Sequence, residues 1–108
     1  MSKLELTPNV LVELEAIIRN FLPMHEVWAF GGRIKHQAHS GSDLDLVLRN
    51  PLQLNKPSSE LALFKSALRD SNIPILIDVV DWATLPEMFR EEILKQYQVI
   101  YPVNHHFS

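Results

Sequence analysis

The sequence contains no cysteine. That excludes a disulfide framework and any thiolate metal site, and it fits a cytoplasmic setting. Glycine is nearly as scarce: there are three, Gly31, Gly32 and Gly41, and two of them are adjacent. No segment approaches the roughly 20 consecutive apolar residues that span a bilayer. The first ten residues, MSKLELTPNV, carry no signal-peptide apolar run. A basic excess is also missing. The net charge is -3 and the pI is about 5.9, which argues against a large phosphate-binding face and against duplex nucleic-acid binding. A compact site for one small phosphate ligand needs only a few donors and stays open. What remains is 108 residues that are 46% hydrophobic, enough for one domain with one core.

The chain reads as alternating helices and strands. Thr7-Pro8 has the form of an N-cap with proline at the first helical position. Leu11, Leu14, Ile18 and Phe21 follow at helical spacing, and Pro23 ends the run. Val27 to Phe30 suits a short buried strand, stopped by the glycine pair. Asp43 to Leu48 reads as a second strand, closed by Asn50-Pro51. Leu61, Phe64 and Leu68 mark an amphipathic helix ending near Ser71-Asn72. Ile75 to Val80 is a third strand, rich in β-branched residues. Thr84 and Glu87 have capping-box spacing, and Met88, Phe89, Ile93 and Tyr97 then fall on one helical face. Val99 to Tyr101 reads as a short extended end. The expected architecture is α/β, a small sheet flanked by helices. The link from Gly31 to Ser42 is short for a parallel crossover, so the sheet is expected to be mixed.

The chemistry lies in the carboxylates. Side chains alternate along a strand, so Asp43 and Asp45 share one face, roughly 6.6 Å apart along the strand. Asp78 falls in the middle of an apolar strand, where a buried carboxylate must be paired, protonated or metal-bound. Asp81, at that strand's end, is satisfied by a loop or cap role. If the two acidic strands are neighbours, Asp43, Asp45 and Asp78 converge, and their repulsion calls for a cation. Oxygen-only ligation favours Mg²⁺ or Mn²⁺ over zinc. Such a cluster can hold two ions about 3.5–4 Å apart, the geometry of in-line phosphoryl or nucleotidyl displacement. Gly31-Gly32 ends a strand where a helix could begin at Arg33, and glycine lets a phosphate approach the backbone. Lys35, His36 and His39 read as solvated linker residues, and Trp28 as core.

Phe30-Gly31-Gly32-Arg33, followed by Ser42-Asp43-Leu44-Asp45-Leu46 and by Asp78 on a later strand, resembles the signature of the DNA polymerase β-type nucleotidyltransferases. The resemblance is strongest to their minimal (MNT) group and covers nearly the whole chain. It implies a single minimal nucleotidyltransferase domain over residues 1–108. It also implies metal ligation by Asp43, Asp45 and Asp78, with Asp78 helping to activate the attacking hydroxyl. Gly31 and Gly32 would cradle the phosphates of a nucleoside triphosphate, with Arg33 and Ser42 beside them. The implied reaction is transfer of a nucleoside monophosphate, AMP from ATP, to a hydroxyl. The implied partner is a helical HEPN-type protein, with this chain as the antitoxin that modifies it.

Two positions depart from the family pattern. Gly32 stands where the family carries serine, which removes a hydroxyl donor worth roughly 1.5–3 kcal/mol to a charged acceptor. His36 stands where the family often has glycine, which narrows the phosphate loop. The alternative reading is therefore a catalytically weak or inactive module that neutralises its partner by binding alone. A free-standing enzyme acting on a small hydroxylated molecule fits less well, because no acceptor domain is visible.

Overall fold

The computed structural model describes residues 6–31 and 43–102. Helix α1 (Pro8–Phe21) starts as its sequence requires. The Thr7 hydroxyl accepts from the Val10 N–H at 3.3 Å, and Pro8 occupies the first turn, where its missing N–H costs nothing. Val10, Leu14 and Ile18 form its buried stripe. Strands β1 (Glu26–Phe30) and β2 (Leu44–Arg49) follow, then α2 (Leu61–Arg69), β3 (Ile77–Asp81), a 3₁₀ turn (Trp82–Thr84), α3 (Glu87–Lys95) and β4 (Gln98–Tyr101).

The four strands form one sheet in the order β3-β2-β1-β4. The expected mixed sheet is present. β1 pairs antiparallel with β2 and with β4, whereas β2 and β3 run parallel. The parallel pair is joined through α2, as a crossover requires. Strand β2 is central and buried on both faces, which is why it reads as a nearly continuous apolar run. The register divides the sheet into two faces. Val27, Ala29, Leu44, Leu46, Leu48 and Val79 share one. Their core is aliphatic and is completed by Leu14, Ile18 and Leu22 from α1 and Phe64 from α2. Trp28, Phe30, Asp45, Val47, Arg49 and Asp78 share the other face. That face meets the 3₁₀ turn and α3 through ring contacts of Trp28 with Trp82 and Tyr97 and of Phe30 with Phe89.

Some expectations are corrected. Helix α3 does not use Thr84 and Glu87 as a capping box. It begins after Pro86 with no side-chain cap, while the Thr84 hydroxyl donates to the Asp81 carbonyl at 3.0 Å. Of the expected face only Ile93 is buried; Met88 projects into solvent, and Phe89 and Tyr97 remain exposed while making ring contacts with Phe30 and Trp28. The extended end at Val99–Tyr101 is a strand of the sheet, edge-paired to β1 across a bulge. Among the described residues, no helix is long and apolar enough to cross a membrane.

Candidate active site

The second sheet face has two ends of opposite character. At the carboxylate end, β1 finishes at Phe30 and the chain turns at Gly31, whose φ of 80° favours glycine. Phe30 is in register with Asp45, and Asp45 with Asp78 on its other side. Asp45 is thus flanked by a phenylalanine and by a second carboxylate, and is only 8% exposed. Like charges directly opposite one another destabilise a sheet, on the 0.2–1 kcal/mol scale of cross-strand pairs.

Asp43 sits just before β2 and is exposed. Its backbone N–H donates to the Leu76 carbonyl at 2.8 Å, and one of its carboxylate oxygens accepts from the Leu76 N–H at 2.9 Å. These reciprocal bonds fasten the start of β2 to the start of β3 and fix the register of the two acidic strands.

The donor chemistry fits a hard divalent cation, since every candidate ligand is a carboxylate oxygen. The side chains as they stand do not form a finished cage. Among the described residues, no group of three or more histidines, aspartates or glutamates is arranged to hold a metal ion. The backbone puts Asp45 and Asp78 side by side, while Asp43 directs one oxygen to Leu76.

Asp78 differs from its expected setting. It is exposed rather than buried, because β3 is an edge strand and its outer side meets solvent. The buried carboxylate of that strand is Asp81, at 6% exposure. Its two oxygens accept from the Ser58 N–H at 2.7 Å and the Ala83 N–H at 3.0 Å, so it is a cap for the 3₁₀ turn and an anchor for the preceding loop. Gly32, Arg33 and Ser42, with Lys35, His36 and His39, lie outside the described residues. Beside Asp78, a groove of about 420 Å³ runs between the edge of β3 and α2. Ile75, Ile77 and Leu68 line it, with Lys65 and Arg69.

The other end of the face is a cation–aromatic cluster that the sequence reading missed. Arg49 lies over the Trp28 ring at 4.1 Å and the Trp82 ring at 4.6 Å, and its guanidinium meets Glu26 at 2.7 Å. Tyr97 stacks on Trp28 with centroids 4.0 Å apart. Arg90 lies over Trp82 at 5.4 Å and donates to the Trp82 carbonyl at 3.0 Å. The one readable signal was alternation, which carries the face of Asp45 on to Arg49 four residues later.

Comparison with known proteins places the chain among nucleotidyltransferases. Residues 13–106 match the family described as Polymerase beta, Nucleotidyltransferase. A Haemophilus influenzae protein named probable protein adenylyltransferase MntA is 36% identical over 99 residues, covering 92% of this chain and 85% of that protein. A solved structure described as a toxin–antitoxin with AMP-PNP shares the fold, with a TM-score of 0.55 and 19% identity over 91% of this chain and 75% of that one.

Proposed function

The chain belongs to the polymerase beta nucleotidyltransferase family, and on that premise we propose that it transfers AMP from ATP to a hydroxyl on a partner protein. The observation that carries this reading is the in-register pair Asp45 and Asp78, one sheltered and one open to solvent, beside the glycine that ends β1. The H. influenzae relative is named for protein adenylylation, and the structural neighbour is a toxin–antitoxin with a nucleotide analogue. Both support a protein acceptor and an adenine nucleotide. The resemblance of the motifs implies a HEPN-type helical protein as that acceptor, with this chain as its antitoxin.

In the proposed reaction the acceptor oxygen bonds to the α-phosphorus, the bond to the bridging oxygen of the β-phosphate breaks, and pyrophosphate leaves with the electron pair. Asp78 is the carboxylate the acceptor reaches from solvent and the one placed to receive its proton. Asp45 lies between Phe30 and Asp78, where packing fixes its position, and it orients the reacting groups. Asp43, Asp45 and Asp78 are the residues that would hold Mg²⁺ or Mn²⁺. A bound divalent ion would neutralise the carboxylates and stabilise charge on the transferring phosphoryl group. Asp78 is among the residues that line the groove along β3, which supports approach of the acceptor from that side.

Incubation of the chain with ATP labelled at the α-phosphate, Mg²⁺ and a HEPN-type helical protein tests the reading. Label should appear on the partner and should disappear with Asp45→Asn.

A second reading has its own support. Gly32 lacks the family's hydroxyl, and no three carboxylates stand grouped around a cation position among the described residues. Both features suit a binding module that neutralises the partner by covering it. A stable complex that acquires no label would favour this second reading over the first.

A further inference from the structure

The proposed reaction leaves one part of the nucleotide without a place: the base. A purine needs a flat apolar surface with one face open. The aromatic rings on the carboxylate-bearing face can be sorted by what already covers them. Trp28 has Tyr97 at 4.0 Å and Arg49 at 4.1 Å. Trp82 has Arg49 at 4.6 Å and Arg90 at 5.4 Å. Both indoles are about 5% exposed, and Phe30 is 8% exposed beneath α3. Tyr97 is 41% exposed, but it stacks on Trp28, which pairs with Val47, one alternation further from the carboxylates than Phe30. Phe89 is as open and lies nearer to them. It packs edge-on against Phe30 with centroids 5.9 Å apart and an interplanar angle of 84°, yet it is 43% exposed. A polar residue would cover this end of Phe30 with less apolar surface in water.

Phe30 also links Phe89 to the chemistry, because Phe30 is the strand partner of Asp45. One strand spacing of about 5 Å plus the ring contact puts Phe89 on the order of 10 Å from Asp45. That is the span between the phosphate and the base of a nucleotide. The two sides of Asp45 are also unlike. Asp78 and the groove lie on the β3 side, and Phe30 with Phe89 on the β1 side. Acceptor and nucleotide can therefore approach without competing for one surface.

We infer that Phe89 is the stacking platform for the nucleobase of the triphosphate, resting on the nucleotidyl-transfer reading and adding its base-binding residue. Stacking on an exposed ring tolerates different bases, so the platform contributes affinity more than a choice between purines.

The test is titration of the purified chain with ATP and, separately, with inorganic tripolyphosphate, each with Mg²⁺. Wild type is compared with Phe89→Ala, Phe89→Leu and Phe89→Tyr. Phe89→Ala should lower ATP affinity about 5- to 100-fold and leave tripolyphosphate affinity unchanged. Phe89→Leu preserves apolar packing on Phe30 and so guards against a folding defect; it should show a smaller loss in the same direction. Phe89→Tyr should bind ATP as wild type does. Equal ATP binding by wild type and Phe89→Ala overturns this inference alone. So does a parallel loss of tripolyphosphate binding, which would make Phe89 a support for the site as a whole. A folded wild type that binds neither ligand overturns the transfer reading and this inference with it.

Discussion

The two ends of one sheet face solve opposite electrostatic problems. At one end the charge of Arg49 is enclosed: a carboxylate at 2.7 Å and two indole rings surround it. At the other, Asp45 and Asp78 stand in register with the same sign. The first arrangement joins opposite charges, and the second sets like charges side by side. Alternation along β2 puts both on the same surface, Asp45 and Arg49 being separated by Val47. The contrast sets the carboxylate end, where the proposed transfer chemistry would lie, against an aromatic end built from rings and cations.

Substitutions at each end should separate these roles. The largest effect on stability is expected from Trp82→Ala, which removes a buried ring that both Arg49 and Arg90 use. It should cost about 3–5 kcal/mol in urea unfolding. Asp45→Asn should do the reverse: a 10²- to 10³-fold loss of AMP transfer, about 2.7–4 kcal/mol in the barrier, with a melting temperature equal to or above that of wild type. A melting temperature well below wild type would mean that Asp45 belongs to the structural side of the comparison. Arg49→Ala should cost about 2 kcal/mol, because it strips the cation from both rings and leaves Glu26 without its partner. Transfer per folded molecule should stay near wild type. Asp81→Ala sharpens the comparison within a single strand. It should cost about 1–2 kcal/mol through loss of the Ser58 and Ala83 bonds, and leave transfer intact, whereas Asp78→Ala should abolish transfer at little cost in stability. Equal effects on transfer from Asp78 and Asp81 would erase the distinction drawn between them.

Local signals and long-range ones fared differently in the sequence. The Thr7-Pro8 start of α1 was legible because capping involves residues within one turn. So was the acidic strand after the glycine pair, although Asp43, expected within it, lies just before it with one carboxylate oxygen on the Leu76 N–H. The setting of Asp78 was not, since a strand's apolar composition does not say whether it lies inside the sheet or at its edge. That depends on strand order, and here β2 takes the centre. The same limit hid the Arg49 cluster. Its rings come from β1, from the 3₁₀ turn and from Tyr97, two residues past α3, and only the fold brings them together. The capping box at Thr84 failed for a local reason: the Asp81 carbonyl takes the Thr84 hydroxyl, and Pro86 sets the helix start. The identity of the carboxylate-bearing strands was readable, whereas the seating of the loop between β1 and β2 lies outside the described residues.

The aromatic cluster has a spectroscopic consequence. The chain has two tryptophans, and both are in it, with indole centroids 5.7 Å apart and planes inclined at 69°. Rings this close couple their transitions, so the near-ultraviolet circular dichroism should carry a signal from this pair that vanishes on unfolding. Tryptophan emission likewise comes from one end of one sheet face. A change in that emission on addition of nucleotide would show that the aromatic cluster senses the carboxylate end, through the strands they share or through α3, which carries both Phe89 and Arg90.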